Sequence, residues 1–92
     1  MVKSFKCRDT EVMFNGKRIE GFISIQSAAM RKLALLNVAG MIEDLRVPPG
    51  NRLEALKGKR QGQCSVRIND QWRICFRFEA GNAFDVEIVD YH

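Results

Sequence analysis

Long apolar runs and an apolar N-terminal signal segment are both missing from this chain. No run approaches the roughly 20 residues that a transmembrane helix needs, and the first residues, MVKSFKCRD, are polar. The cysteines, Cys7, Cys64 and Cys75, are odd in number and match no zinc or redox spacing. These absences predict a soluble cytoplasmic protein that needs no metal or cofactor and uses its cysteines for packing.

Disorder and a multidomain organisation are also excluded. A chain of 92 residues is long enough for one domain with a single core. Hydrophobic residues make up 46% and charged residues 28%, which is ordinary for a globular protein. We therefore expect one domain over residues 1–92.

Positive charge is in excess and is concentrated in the middle of the chain. The net charge is +4, and residues 46–67 hold a single carboxylate, Glu54, against six basic residues: Arg46, Arg52, Lys57, Lys59, Arg60 and Arg67. A basic, glycine-containing loop of this kind suits a polyanion such as RNA. The alternative is a solvated surface loop.

Helical patterns come first and strand patterns follow. Residues 24–40, SIQSAAMRKLALLNVAG, have helical spacing, with shorter helical stretches at 11–15, after a capping Thr10, and at 42–45. A short strand is expected at 3–7. After Pro48 and Pro49 the period becomes two, which predicts a strand at 53–56 and then an antiparallel meander of CSVRIN, QWRICFRF and NAFDVEIVDYH. The fold class is α+β, with the helices on one face of the sheet.

The apolar parity of these strands predicts their register. Residue 68 should pair with residue 72, which sets Arg67 opposite Arg73 on the face away from the helices. Extending the parity through the next turn pairs Phe78 with Asn82. This register places Phe84, Val86 and Ile88 on the apolar face and Glu87 opposite Arg73. Two interpretations stay open: the arginines form a surface ladder of ion pairs, or one of them meets an anion.

The only histidine, His92, ends the chain beside Asp90 and Tyr91. The bland interpretation is a solvated tail. The alternative is that these residues lie beside the turn around Asp70, near Arg73, with Lys57 across from them if residues 53–56 pair at that edge. Such a cluster would hold what RNA cleavage by a 2′-hydroxyl requires: a proton acceptor, cations on the phosphate and an acid for the leaving oxygen.

The segments PPGNRLEALKG, INDQWRICFRF and VEIVDYH resemble, in order and separation, the HigB toxins of the RelE superfamily. The resemblance covers the whole chain and implies a RelE-like, microbial-ribonuclease-like fold. It also implies a ribosome-dependent messenger-RNA endonuclease that a HigA-type antitoxin neutralises, with operator DNA reached only through the antitoxin complex. One departure is Glu54, which stands where some relatives have a histidine and puts a two-histidine acid–base scheme in doubt.

The resemblance also implies roles for individual residues. The catalytic candidates are Lys57 and Arg73 as cations, one of Asp90 or His92 as proton acceptor, and His92 or Tyr91 as the acid. We expect RNA contacts from the remaining basic residues on the strands and loop: Arg52, Lys59, Arg60, Arg67 and Arg77. Two rival functions remain, a ParE-like toxin that inhibits DNA gyrase and a non-catalytic RNA-binding module, neither of which needs the terminal residues with Lys57.

Overall fold

The computed structural model describes residues 1–90, which form two α-helices and a four-stranded sheet. The elements are α1 (Arg8–Phe14), α2 (Gln26–Val38), β1 (Glu54–Ala55), β2 (Cys64–Arg67), β3 (Trp72–Glu79) and β4 (Asn82–Asp90). Four 3₁₀ turns lie between them, at Glu20–Phe22, Ile42–Arg46, Pro49–Asn51 and Gly58–Arg60. No helix in this part of the chain is long and apolar enough to cross a membrane.

The sheet has the order β1-β2-β3-β4, and every neighbouring pair is antiparallel. The meander predicted from the period-two pattern is therefore confirmed, and β1 pairs at the edge of β2. The strand expected at 3–7 is reduced to two isolated parallel bridges, Val2 to Ala83 and Phe5 to Val86. These bridges lay the N-terminal segment along the outer side of β4.

One face of the sheet carries the core. Leu33 and Leu36 of α2 are fully buried and belong to the same apolar cluster as Ile74 and Phe76 of β3. Trp72 is partly buried and meets Phe22 edge to face, with 5.7 Å between ring centroids. The predicted α+β arrangement, with helices packed on one face, is confirmed, and the opposite face is left for polar side chains.

Thr10 has a different role from the helix cap predicted for it. The helix α1 begins earlier, at Arg8, and Thr10 lies inside it, fully buried. Its hydroxyl oxygen accepts a hydrogen bond from the backbone N–H of Ile88 at 3.2 Å. A buried N–H without a partner is costly, so this contact fixes α1 against the last strand.

The register between β2 and β3 is the one predicted, but the register between β3 and β4 is not. Arg67 does pair with Arg73. Phe78, however, pairs with Ala83 rather than with Asn82, and a β-bulge then adds one further residue to β4. The bulge centres on Asp85, whose φ of 55° lies in the left-handed region.

The bulge reverses the side-chain parity along β4. Before the bulge, Phe84 pairs with Arg77 and so leaves the core face, where it was predicted. Its ring centroid lies 5.0 Å from Cζ of Arg77. Ala83 fills a core position instead, while Val86 and Ile88, which follow the bulge, are buried in the core as predicted. Glu87 pairs with Cys75, so the predicted pairing of Glu87 with Arg73 is also wrong.

The bulge offers a test of backbone strain. Asp85→Gly and Asp85→Ala remove the same carboxylate, but only glycine adopts a positive φ without a Cβ penalty. We expect Asp85→Gly to be more stable than Asp85→Ala by about 1 kcal/mol in urea unfolding. Equal stabilities would mean that the left-handed conformation is not retained in solution.

Candidate active site

A cavity of about 370 Å³ opens on the polar side of the sheet, at the end where β2 stops and β3 begins. Six residues line it: Arg52, Glu54, Arg67, Asn69, Asp70 and Arg73. Three guanidinium groups against two carboxylates leave the lining with a formal charge of +1. The cavity is therefore suited to an anionic group.

Arg73 is the most constrained of these side chains and is only 7% exposed. Its Nε–H donates to the Ser65 hydroxyl at 2.8 Å, and Nη2 donates to the Arg52 carbonyl at 2.6 Å. Nη1 lies 3.9 Å from Oε1 of Glu54. A buried guanidinium held by neutral acceptors on one side presents its charge in a fixed direction, toward the cavity.

Two local features place these partners of Arg73. Ser65 is in register with Glu54 on β1 and with Cys75 on β3, so the hydroxyl lies on the same face as Arg73. Arg52 follows the turn Pro49–Asn51 in a left-handed conformation, with φ of 45°. The buried Asn51 amide holds that turn by donating to the Leu45 and Val47 carbonyls.

The two facing arginines, Arg67 and Arg73, avoid mutual repulsion because each has its own partners. Arg67 pairs with Asp70 in the β2–β3 turn, while Arg73 has Ser65, the Arg52 carbonyl and Glu54. Like charges opposite each other destabilise a sheet unless they are neutralised. Here both sets of partners lie around the same cavity.

Further along the same face, ion pairs of the ladder type do occur. Arg77 donates to Asp85 at 3.2 Å and lies 2.7 Å from Oε1 of Glu79, and these hydrogen bonds, the one to Glu79 foremost, raise the pKa of Arg77. Glu87 accepts from Arg60 at 2.7 Å. Ion pairs of the predicted ladder type are therefore present on this face, whereas the interpretation that an arginine meets an anion stays a prediction.

Lys57 and Lys59 are exposed and, among the described residues, are not part of the cavity lining. Lys57 precedes the turn Gly58–Arg60, which contains Lys59. The strand β1 does pair at the expected edge, but Ala55 aligns with Cys64 and, through it, with Phe76. Lys57 therefore continues toward the opposite end of the sheet from Asp90, contrary to the predicted placement across from it.

Asp90 lies beside the β2–β3 turn, as predicted. It pairs with Trp72, and its Oδ2 accepts a hydrogen bond from Nε2 of Gln71 at 3.1 Å. Directly paired residues share a face of a sheet, so Asp90 is on the side of Trp72 rather than on the side of Arg73. Tyr91 and His92, the other members of the predicted terminal group, lie outside the described residues.

The cysteines that the structure describes have the environment of packing residues. Cys75 is fully buried, and this burial, as the main cause, raises the pKa of its thiol. Burial likewise raises the pKa of the Cys64 thiol. Within residues 1–90, no cluster of three or more histidine, cysteine, aspartate or glutamate side chains is arranged to hold a metal ion.

Sequence reasoning found Arg73 but missed the groups that hold it. The period-two pattern gives no sign that Ser65 contacts Arg73, and the acceptor on Arg52 is a backbone carbonyl, which no side-chain pattern reveals. The PPGN segment did contain an indication of part of this arrangement. Proline, glycine and asparagine together are typical of a turn, and an asparagine side chain in a turn often hydrogen-bonds to the nearby backbone.

Comparisons with known proteins agree with this fold and site. Residues 5–92 match the family model of HigB-like toxins, described as the RelE-like toxin of the type II toxin-antitoxin system HigB. The chain belongs to this family. Its members are toxins paired with an antitoxin, so the expected RelE-like fold and HigB membership are confirmed.

Two relatives are similar over large parts of the chain. Toxin HigB-1 of Vibrio cholerae serotype O1 is 47% identical over 62 residues, which span 67% of this chain and 65% of that protein's length. Endoribonuclease HigB of Proteus vulgaris is 31% identical over 94 residues, covering the whole of both chains.

A solved structure supports the fold alone. The YoeB-YefM complex from Staphylococcus aureus contains a chain that superposes with a TM-score of 0.53 at 14% identity. The alignment covers 100% of this chain and 98% of that one. The sheet and helices described above are thus shared with a chain of distant sequence.

The constraint on Arg73 predicts an asymmetry between the two facing arginines. Lysine keeps the charge but cannot reach Ser65 and the Arg52 carbonyl together, so Arg73→Lys should lower the free energy of unfolding by about 1.5–3 kcal/mol. The control is Arg67→Lys, which changes a half-buried side chain and should cost less than about 1 kcal/mol. Urea unfolding of both variants measures the difference, and equal losses would contradict the proposed constraint.

Proposed function

We propose that this chain is the toxin of a type II system that cleaves translated messenger RNA on the ribosome. The observation that carries the proposal is the cavity in which Arg52 and Arg67 accompany the fixed, nearly buried guanidinium of Arg73. An RNA phosphate that gains charge during cleavage needs preorganised cations of this kind. The name of the Proteus vulgaris relative, an endoribonuclease, supports the same activity.

The proposed reaction is attack by a 2′-hydroxyl on the adjacent phosphate. Arg73 stabilises the negative charge that develops on the non-bridging oxygens, because its guanidinium is already oriented and needs no rearrangement. Arg67 and Arg52, which line the same cavity, bind neighbouring phosphates. The leaving 5′-oxygen takes a proton, and the products are a 2′,3′-cyclic phosphate and a 5′-hydroxyl.

The remaining predicted residues take supporting roles. Lys57, Lys59 and Arg60 belong to the segment that follows β1, and we assign to it contacts with the RNA on either side of the cleaved bond. Arg77 and Arg60 already hold ion pairs, so their positive charge is partly offset. Asp90 ends β4 beside the Gln71 turn, Tyr91 and His92 come next in the sequence, and we assign proton transfer to this group.

The partner we propose is a HigA-type antitoxin, with the ribosome and its message as the target. Membership in a family described as the toxin of a type II toxin-antitoxin system supports an antitoxin partner. The substrate is found in the cytoplasm, which is accordingly the compartment we propose. Operator DNA would be contacted only by the complex with the antitoxin.

Translating ribosomes provide the direct test. The purified chain, incubated with ribosomes and a defined message, should cut the message, and end mapping should show 2′,3′-cyclic phosphates. Intact messages together with gyrase-dependent DNA damage would support the gyrase-inhibitor alternative instead. If the chain binds RNA but causes neither cleavage nor growth arrest, the non-catalytic RNA-binding alternative would be supported.

The role of His92 can be tested by substitution. Removing a positioned acid or base typically costs about 10²- to 10⁴-fold in rate, so His92→Ala should slow cleavage by that amount without changing the unfolding midpoint. Single-turnover cleavage of ribosome-bound message is the measurement. Full toxicity of a chain ending at Tyr91 would contradict the assignment.

Lys57 needs its own test, because the structure places it away from the Arg73 cavity. If it stabilises the RNA phosphates, Lys57→Ala should reduce cleavage by about 10²-fold. Lys17→Ala, which removes the same charge from the exposed loop after α1, is the control and should cleave at the wild-type rate. Unchanged cleavage by Lys57→Ala would remove that residue from the site.

A further inference from the structure

Asn51 is a polar side chain that is buried away from the cavity and only 1% exposed. Its Nδ2 donates to the carbonyls of Leu45 and Val47, at 3.1 and 3.3 Å, and its Oδ1 accepts from Nζ of Lys32 at 2.5 Å. The amide hydrogens and the amide oxygen thus all have partners. Because an unpaired buried polar group is costly, this side chain fixes the three segments that it contacts relative to one another.

These contacts determine where the next residue lies. Asn51 ends the turn Pro49–Asn51, and Arg52 follows with a φ of 45°, in the left-handed region. A residue with a side chain is strained in this region and keeps the conformation only where its surroundings impose it. The Asn51 amide supplies such surroundings, because it ties the turn to the carbonyl of the core residue Leu45 and to helix α2.

The carbonyl of Arg52 in turn holds one end of the catalytic guanidinium. It accepts from Nη2 of Arg73 at 2.6 Å, while the Ser65 hydroxyl accepts from Nε at 2.8 Å. Contacts at two different nitrogens fix the plane of a guanidinium, whereas a single contact allows it to rotate. Stabilisation of the developing phosphate charge depends on this orientation, since a preorganised cation needs no rearrangement during the reaction.

We propose that Asn51 is a positioning residue of the cleavage reaction, an inference that rests on the proposed function. Asn51 holds the Arg52 carbonyl in place, and this carbonyl orients the Arg73 guanidinium for the phosphate. Among residues 1–90, Asn51 is not part of the cavity lining, so it acts without touching the RNA. A purely structural Asn51 would stabilise the fold but would leave the cleavage rate of the folded protein unchanged.

Two substitutions remove the donors of Asn51 in different ways. Asn51→Ala deletes the amide, whereas Asn51→Asp keeps its size and an acceptor for Lys32 but has no N–H to donate. A misplacement of about 1 Å caused far from the chemistry can cost about 10²-fold in rate. Single-turnover cleavage at saturating ribosome and message should therefore slow by about 10- to 100-fold, while the half-saturating concentration stays within about threefold of wild type.

Asn37→Ala is the matched control. The Asn37 Oδ1 accepts from the backbone N–H of Val2 at 2.9 Å, so this asparagine also ties a chain segment to α2, but the segment is not the one that contacts Arg73. Its cleavage rate should match that of the wild type. Circular dichroism at the assay temperature and urea unfolding establish that each variant compared is folded.

A double variant shows whether Asn51 acts through Arg73. Substitutions that disturb one shared contact are not additive. Arg73→Lys already loses the simultaneous contacts with Ser65 and the Arg52 carbonyl, so adding Asn51→Asp to it should slow cleavage by less than about threefold further. Full additivity of the two losses would mean that Asn51 acts on something other than Arg73.

NMR of the free chain tests the same link without RNA. Asn51→Asp should speed hydrogen exchange at Nη2 of Arg73, which loses a fixed acceptor, and should change exchange at Nε much less, because Ser65 still holds it. Asn37→Ala should change neither. Unaltered exchange at Nη2 in Asn51→Asp would contradict the proposed positioning.

The cleavage results can also overturn the proposal. A folded Asn51→Ala or Asn51→Asp that cleaves within threefold of wild type would remove the positioning role, and failure of both variants to fold would make Asn51 a structural residue. Loss of ribosome binding in proportion to cleavage would make it a binding determinant. If the wild-type chain cuts no message, the proposed function fails; if wild type cuts and the Asn51 variants cut equally fast, only the role of Asn51 fails.

Discussion

The burial of the Arg73 guanidinium is the constraint around which the polar side of this protein is built. An ionised group that leaves water must be compensated, and removal of its partners leaves an uncompensated charge. Here Ser65, the Arg52 carbonyl and Glu54 surround it. Because these partners come from β2, from the segment after the prolines and from β1, the one arginine ties three parts of the chain to a single point.

The same constraint explains the local architecture of the PPGN segment. The buried Asn51 amide donates to two carbonyls, while its Oδ1 accepts from Nζ of Lys32 on α2 at 2.5 Å. The turn is thereby fixed to the helix layer, and the left-handed Arg52 directs its carbonyl at Arg73. Asn51 therefore links helix α2 to the segment that supplies the Arg52 carbonyl to the site.

Much of the fold was predictable because it follows from period and parity. The α+β order, the helix at 26–38 and the pairing of Arg67 with Arg73 all depend on local patterns and one short turn. The β3–β4 register was not predictable in the same way, since the turn pairs Phe78 with Ala83 and the bulge at Asp85, with its positive φ, then shifts the pairing by one more residue. An aspartate in an alternating strand carries no signal that it will bulge.

The site was predictable in part for a similar reason. Arg73 and Arg67 could be placed on one face by parity, and the resemblance to HigB toxins drew attention to Glu54 as a departure from a histidine. The position of Lys57 was not predictable, because an antiparallel β1 runs away from the end that holds Asp90. The contacts of Arg73 with a hydroxyl and a carbonyl depend on the folded loop rather than on any residue pattern.

The edges of the sheet have a consequence for association with other chains. On the β4 side, the backbone N–H groups of Ala83 and Val86 donate to the carbonyls of Met1 and Ser4, and Lys3 and Lys6 donate in return. On the other side, β1 is only two residues long. Short or covered edges suppress strand-to-strand aggregation. A partner that docks by extending the sheet would have to displace the N-terminal segment or rely on a two-residue template, so recognition through side-chain surfaces is favoured over β-augmentation.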